Sequence, residues 1–362
     1  MKIHKATAQF EQWMRTQTNL VPADLRIKHQ QMAAAMFPFL RATFYRWMQL
    51  WPEVCNDLVA APKVLAVGDL HIENFGTWRD AEGRLIWGIN DFDEAFPLPY
   101  TIDLVRLAAS ARVATQEQHL ALRPRAACNA ILEGYRTALE GGGKAFVLEQ
   151  RHRWLRDIAL NELRDPGVFW KKMDSLPDLK ASVPEEARRG LQEMMPKQCV
   201  NQRRKHRIAG LGSLGRQRIV MLAEWHGGLV AREAKALLPS ACIWAAGLKV
   251  APRIWYEEII GRAVRVLDPF VYSRGNWLLR RLAPDCSRIG LASLPKYRDE
   301  LALLHSMGWE TANVHLGSRK AIPAVLRDLR GRKASWLHNA AKRMAKALAA
   351  DWKDWRKDWR DG

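Results

Sequence analysis

The segment VGDLHIENFG, residues 67–76, sets side chains of the kinds used in catalysis between apolar residues: Asp69, His71, Glu73 and Asn74. Further along, Asp91 stands in INDFDEA. A strand–turn–strand hairpin between the two segments would bring Asp91 back beside Asn74. Carboxylate and amide oxygens are ligands that Mg²⁺ prefers, and a further carboxylate nearby can accept a hydroxyl proton. Phosphoryl transfer requires this division of labour, because its catalysis is mainly positioning and charge neutralisation.

The flanking sequence predicts the elements that must position these residues. VLAVGD predicts a short strand leading into the loop, and NFGTW and RLIWGIND predict two strands joined by the polar turn RDAEG. Residues 1–60 place apolar side chains at helical spacing, with Pro38 expected as a break. Residues 102–165 return to helical spacing.

GDLHIENFG, followed by LIWGINDFDEA and IDL, resembles the aminoglycoside phosphotransferase and choline kinase branch of the protein-kinase-like superfamily. The resemblance implies that Asp69 is the catalytic aspartate and that Asn74 and Asp91 hold Mg²⁺. It implies that Asp103 is a buried structural carboxylate that holds the backbone of the catalytic loop. His71 stands at the position of the loop histidine of these enzymes, where a structural part is expected beside the catalytic aspartate.

The full pattern looks closer still to a large bacterial family of unknown function, which is marked by GDxHxxNFG and NDFDE. We expect this resemblance to extend over most of the chain, and it implies no established activity. Within NDFDE, Asp93 is a candidate second metal ligand, and the alternative is a solvated or capping acid.

A glycine-rich segment, GLGSLG, fits the pattern G-x-G-x-x-G with Gly210, Gly212, Ser213 and Gly215. Such a segment can cover nucleotide phosphates with its backbone amides. The pattern by itself is a weak signal. It gains weight because RQRIVML, which follows it, predicts a strand, whereas a dinucleotide-binding fold needs a helix there.

A cation is expected on the strands that follow the glycines, where a kinase places its phosphate-binding lysine. Arg232 lies at about that distance, and Lys235 lies just beyond it. Either could neutralise phosphates. Glu257 or Glu258, on the next expected helix, could pair with that cation.

The order of these motifs differs from that of an ordinary kinase, in which the glycine-rich loop precedes the catalytic loop. LLHSMGWETANVH, residues 303–315, resembles the helix that normally leads into the catalytic loop. We therefore expect a helix-rich α+β, protein-kinase-like fold of two lobes that is circularly permuted. The expected parts are a catalytic helical lobe at 1–205, with the metal and catalytic loop at 66–104, a glycine-rich β nucleotide lobe at 206–290, and C-terminal helices at 291–362.

The composition fits a folded protein with polyanionic partners. Hydrophobic residues make up 48% of the 362 residues, and the net charge is +19. The five cysteines are scattered and form no CxxC pair, which is typical of reduced thiols. No signal peptide and no transmembrane segment is recognisable, so we expect a cytoplasmic protein.

The expected function is ATP- and Mg²⁺-dependent transfer of a phosphoryl group to a hydroxyl of an unknown acceptor, with a small molecule favoured. The alternative is a catalytically weak or dead kinase-like protein that binds nucleotide and serves as a basic scaffold. Its partner could be nucleic acid, although no zinc finger or RNP-type motif accompanies the basic run at 197–218. A metallophosphatase, which also uses D-x-H, is disfavoured because its further metal-binding segments are missing.

Overall fold

The computed structural model describes residues 1–149, 151–162, 165–248, 251–284, 286 and 299–360. The architecture is mixed α+β and rich in helix, as the sequence predicts. In the described residues the helices are α1 Ile3–Gln17, α2 Pro22–Ala34, α3 Met36–Ala42, α4 Phe44–Val54, α5 Thr101–Gln116, α6 Pro124–Glu140, α7 Arg153–Glu162, α8 Pro166–Asp174, α9 Glu185–Met194, α10 Ala241–Ala245, α11 Tyr256–Arg262, α12 Glu300–His315, α13 Ile322–Gly331 and α14 Trp336–Arg360. The strands are β1 Lys63–Ala66, β2 Phe75–Arg79, β3 Leu85–Ile89, β4 Phe96–Pro99, β5 Phe146–Val147, β6 Val200–His206, β7 Arg218–Trp225, β8 Gly228–Ala236, β9 Val271–Arg274 and β10 Trp277–Leu282.

The first part of the chain is helical, as expected, but the break predicted at Pro38 is wrong. Ala35, with an extended backbone, separates α2 from α3. Pro38 lies in the first turn of α3. The first N–H groups of a helix have no partner within the helix, so a proline there removes no hydrogen bond.

Two small sheets frame the loop that holds Asp69. β1 pairs antiparallel with β4, and β3 lies between β2 and β5 in a three-stranded sheet. Their side chains belong to the main hydrophobic core, together with α5, α6 and α12. α6 and α12 approach each other closely, because a Cβ on Gly134 would lie 1.9 Å from the carbonyl oxygen of His305. This packing sets the C-terminal end of α12 beside the loop after β1.

A five-stranded antiparallel sheet of order β6-β7-β8-β10-β9 forms the other main element. β7 and β8 form a hairpin whose turn residues, His226 and Gly227, both have positive φ.

β6 begins at Val200, so the domain boundary expected at 205/206 falls inside a strand. The boundary expected at 290/291 lies outside the described residues. Within those residues, no helix is both long enough and apolar enough to span a membrane.

Candidate functional site

The loop that follows β1 is fixed through its backbone. Asp103, in the first turn of α5, accepts hydrogen bonds from the N–H groups of Val67 at 2.7 Å and Gly68 at 2.9 Å. The same carboxylate lies 2.9 Å from Nε2 of His315, at the end of α12. Gly68 has φ +85°, and a Cβ there would lie 2.4 Å from the carbonyl oxygen of Glu94. These contacts fix the backbone conformation of the loop, and Asp69 lines the neighbouring cleft.

Asp69 lines this cleft and is held from behind by Arg106, whose side chain is fully buried. Nε of Arg106 donates to Oδ1 of Asp69 at 2.8 Å, while its guanidinium stacks on the rings of Phe44 and Trp47. Burial raises the pKa of Asp69, and Arg106 opposes that rise. Oδ2 of Asp69 accepts no hydrogen bond from the described residues, so it is the oxygen available for a reacting group.

Asn74 and Asp91 lie side by side, as the expected hairpin requires. β2 pairs with β3 from Phe75↔Ile89 onward, and Asn90 N donates to the carbonyl oxygen of Asn74 at 3.1 Å. The amide nitrogen of Asn74 donates to the carbonyl oxygen of Asp91 at 3.0 Å. Its amide oxygen, Oδ1, is buried and has no hydrogen-bond partner among the described residues. A buried acceptor without a donor is costly, and a cation would satisfy it.

Lys235 is the cation that reaches these carboxylates. Its Nζ lies 3.2 Å from Oδ1 of Asp91 and 2.5 Å from Oδ2 of Asp93. Burial lowers the pKa of Lys235, and burial together with Asp91 raises the pKa of Asp93. Arg216 adds a second cation, 3.3 Å from Asp93 and 3.2 Å from Glu94. Asp93 Oδ1 is a further buried acceptor without a partner in the part of the chain that the structure describes.

The glycine-rich segment joins β6 to β7 and lies directly over Asp69. Gly210, Gly212 and Ser213 line the cleft. A Cβ on Gly212 would lie 3.3 Å from Oδ2 of Asp69. Lys28 donates to the carbonyl oxygen of Gly212 at 3.2 Å, and burial lowers the pKa of this lysine to about 8. Gly215, at the end of the segment, has φ +96° and packs against Leu25, where a Cβ would not fit.

Three residues expected near the nucleotide phosphates lie elsewhere. Side chains alternate between the two faces of a strand, so Arg232 faces away from Lys235 on β8. Arg232 donates to the carbonyl oxygen of Met194 at 3.2 Å. Glu257 accepts from the N–H of Ser273, and Glu258 pairs with Arg253 and Arg262. The expected glutamate partner of Lys235 is therefore replaced by Asp91 and Asp93.

His71 also lines the cleft, and its Nδ1 accepts from the N–H of Glu73 at 3.2 Å. This bond begins the short 3₁₀ turn Ile72–Asn74, which sets the direction of Asn74. The geometry gives the histidine a part in shaping the loop.

Sequence reasoning missed the cations that surround the carboxylates, above all Arg106 and Arg216. The burial of Arg106 could have been predicted from the sequence, because the residues beside it on the helix, Leu104, Val105 and Leu107, are apolar. A charged residue on such a helix needs a buried partner. The sequence around Arg216 does not indicate burial, since this arginine stands in a run of basic residues.

The donor set fits a magnesium ion held by few protein ligands. The described residues contain no group of three or more His, Cys, Asp or Glu placed to hold a metal. The oxygens of Asn74, Asp91 and Asp93 are nevertheless hard donors, and two of them lack partners. Mg²⁺ commonly takes one or two carboxylates and completes its shell with water and phosphate oxygens.

Comparison with known proteins finds a match to one family model, and the description of that family assigns no activity. No curated protein and no solved structure matches the chain. The match to a family runs from α2 to the start of α8, so it includes the loop of Asp69, the hairpin up to Asp91 and Asp103 on α5, and it spans less of the chain than expected. Residues 20–167 match the sequence model of a family described as an uncharacterized protein conserved in bacteria (DUF2252).

Proposed function

We propose that this protein is a kinase-like phosphotransferase that uses ATP and Mg²⁺ and acts on a hydroxyl of a small molecule. One observation carries the proposal. Asp69, Asn74 and Asp91 line a single cleft, and the glycine-rich segment covers it. A base, two oxygen ligands and a loop of backbone amides are the parts that phosphoryl transfer requires.

Each residue has a distinct task in this proposal. Asn74 Oδ1 and Asp91 hold Mg²⁺, with Asp93 as a further oxygen donor. The ion, when bound, neutralises charge on the phosphate oxygens. The amides of the segment from Gly210 to Gly215 cover the phosphates, and Lys235 supplies a positive charge beside Asp91.

Asp69 acts on the acceptor. Its Oδ2 orients the acceptor hydroxyl and takes its proton as the oxygen–phosphorus bond forms, while the bond from the γ-phosphorus to the bridging oxygen breaks and ADP leaves. Arg106 keeps the carboxylate in place through Oδ1, so the second oxygen faces the cleft. Burial raises the pKa of Asp69, which makes it a better proton acceptor than an exposed aspartate.

The relative placement of the elements supports a permuted kinase-like order. α12 comes late in the sequence, yet its last residue, His315, contacts Asp103 beside the catalytic loop. The glycine-rich segment joins two neighbouring strands of an antiparallel sheet, and Lys235 lies on the strand after them. In an ordinary kinase the chain passes through these elements in the other order, glycine-rich loop first.

The test is transfer of label from γ-labelled ATP to a mixture of hydroxyl-bearing metabolites in the presence of Mg²⁺. We expect Asp69→Asn to lose transfer by about 10²-fold or more, as for removal of a general base. Asp57→Asn, which alters an exposed partner of Arg343, is the matched control and should retain transfer. Equal transfer by wild type and Asp69→Asn would refute the assignment.

A second candidate is a nucleotide-binding protein with little turnover. The closeness of Gly212 to Asp69 favours it, because the loop narrows the space through which an acceptor must reach Oδ2 of Asp69. ATP binding without transfer to any acceptor would select this candidate.

A further inference from the structure

A second cavity lies on the other side of Gly210 from the carboxylate cleft. Its volume is about 1650 Å³, against about 600 Å³ for the cleft, with the space open to solvent included in both. Strands β2, β7, β9 and β10 and helices α8 and α11 contribute to its walls. We call it the arginine chamber, after the basic side chains that line it: Lys172, Arg207, Arg218, Arg265, Arg280 and Arg281.

The chamber has an excess of positive charge. Arg207, Arg280 and Arg218 converge on one buried carboxylate, Glu233, at 2.5, 2.6 and 3.1 Å. Burial alone would raise the pKa of Glu233, but the three guanidinium groups outweigh it and hold that pKa well below its ordinary value. Glu233 is therefore ionised and neutralises one of the three. Among the described residues that line the chamber, Asp268 alone is acidic.

Two further arginines in the wall each have two buried nitrogens for which no described residue provides an acceptor. Arg265 lies between the rings of Trp78 and Phe92, at 4.8 and 4.9 Å, and donates through Nη2 to the carbonyl oxygen of Ile89. Its Nε and Nη1 are buried, and no described residue accepts from them. The same holds for Nε and Nη2 of Arg281. Buried charged donors without acceptors are more costly than neutral ones, so this wall favours an anion.

We propose that the arginine chamber binds a phosphorylated small molecule. The planar fork of a guanidinium matches phosphate oxygens, and several forks on one cavity suit a group with more than one negative charge. The apolar part of the same wall, formed by Phe169, Tyr256 and Ile260 among others, would contact the organic part of the ligand. An uncharged ring alone would leave the excess positive charge buried without a partner.

This site is separate from the carboxylate cleft and does not depend on the function proposed for it. Among the described residues, the cleft is lined by four carboxylates and two arginines, whereas the chamber is lined by six cations and one carboxylate. Without a divalent cation, an anion should therefore prefer the chamber.

The test is titration calorimetry of the full chain with inorganic pyrophosphate as the probe, in EDTA and without nucleotide. Wild type should bind the probe, and Arg281→Gln should bind it about tenfold more weakly or worse, because one charge-assisted contact is lost. Arg265→Gln should do the same. Arg281 contacts one aromatic ring, that of Phe270, whereas Arg265 lies between two, so the Arg281 variant keeps the test decisive if Arg265→Gln fails to fold.

The controls separate the chamber from the cleft and from general surface charge. Arg330→Gln makes the same charge change at an exposed arginine and should leave the affinity unchanged. Asp69→Asn, which alters the cleft, should also leave it unchanged. The proposal is overturned if wild type does not bind pyrophosphate, or if both chamber variants bind it like wild type. Binding of adenosine in place of pyrophosphate would identify a nucleoside pocket and would equally overturn it.

Discussion

Lys235 and Asp91 are 144 residues apart in the sequence but in contact in the structure. Nζ of Lys235 lies 3.2 Å from Oδ1 and 3.3 Å from Oδ2 of Asp91. This contact joins the five-stranded sheet to the loop that follows β3. It also places a buried cation where the proposed function requires neutralisation of phosphate charge. On the same strand, Arg232 faces the other way.

This difference between the two cations gives the first prediction. Lys235→Met should weaken ATP binding by about 10- to 100-fold, since it removes a charge-assisted contact worth about 1.5–3 kcal/mol. Arg232→Met removes a cation from the opposite face of β8 and should leave the ATP affinity unchanged. Calorimetric titration of both folded variants checks this, and equal weakening in both would place the phosphates elsewhere.

Gly210 and Gly227 provide a matched pair for the glycine-rich segment. Both have positive φ, +73° and +79°, so alanine at either costs about 1–2 kcal/mol in the left-handed region. At Gly227 nothing lies within 4 Å of the added methyl, whereas at Gly210 it would lie 2.5 Å from Nη2 of Arg218. Urea unfolding should therefore show a larger loss of stability for Gly210→Ala, by about 1 kcal/mol or more. Equal losses would mean that Arg218 adapts at no cost.

Because Glu310 is a buried acid, we expect its protonation to make the stability of the folded protein depend on pH. It is buried on α12 beside Gly88, and burial raises its pKa from 4.5 to about 7. A carboxyl group whose pKa is higher in the folded state binds its proton more tightly there. Its contribution to stability is therefore complete below about pH 4.5 and is lost as the pH rises through 7.

The measurement is the free energy of unfolding of wild type and Glu310→Gln at pH 5 and pH 8. Wild type should lose about 2.5 kcal/mol more than the variant over this range. Parallel losses in the two proteins would contradict the high pKa of Glu310.

The sequence predicted the local part of the site and missed the part made by tertiary packing. The hairpin that brings Asp91 to Asn74 follows from two short apolar runs and a polar turn, all of it local. The choice between Arg232 and Lys235 depends on which face of β8 turns to the cleft. The pattern of alternating side chains places the two on opposite faces, but only the packed structure shows which face that is.

Electrostatic partners were the least predictable feature. Glu257 or Glu258 was expected to pair with the cation on β8. Glu257 instead accepts from the N–H of Ser273, and Glu258 pairs with Arg253 and Arg262, which are near it in sequence. Arg106 reaches Asp69 from a helix whose burial on all sides arises from packing. The two-lobed, permuted fold predicted by motif order stays a prediction.

The most direct test of the central claim is thermal unfolding with ATP and Mg²⁺ varied, in wild type and in Asp91→Ala. ATP at about 100 times its Kd should stabilise wild type by about 2.7 kcal/mol, which raises Tm by several degrees. The gain should need Mg²⁺, should vanish in Asp91→Ala, and should persist in the control Asp57→Ala, which alters an exposed ion pair. No shift in wild type, or the same shift in Asp91→Ala, would contradict a metal–nucleotide site at this cleft.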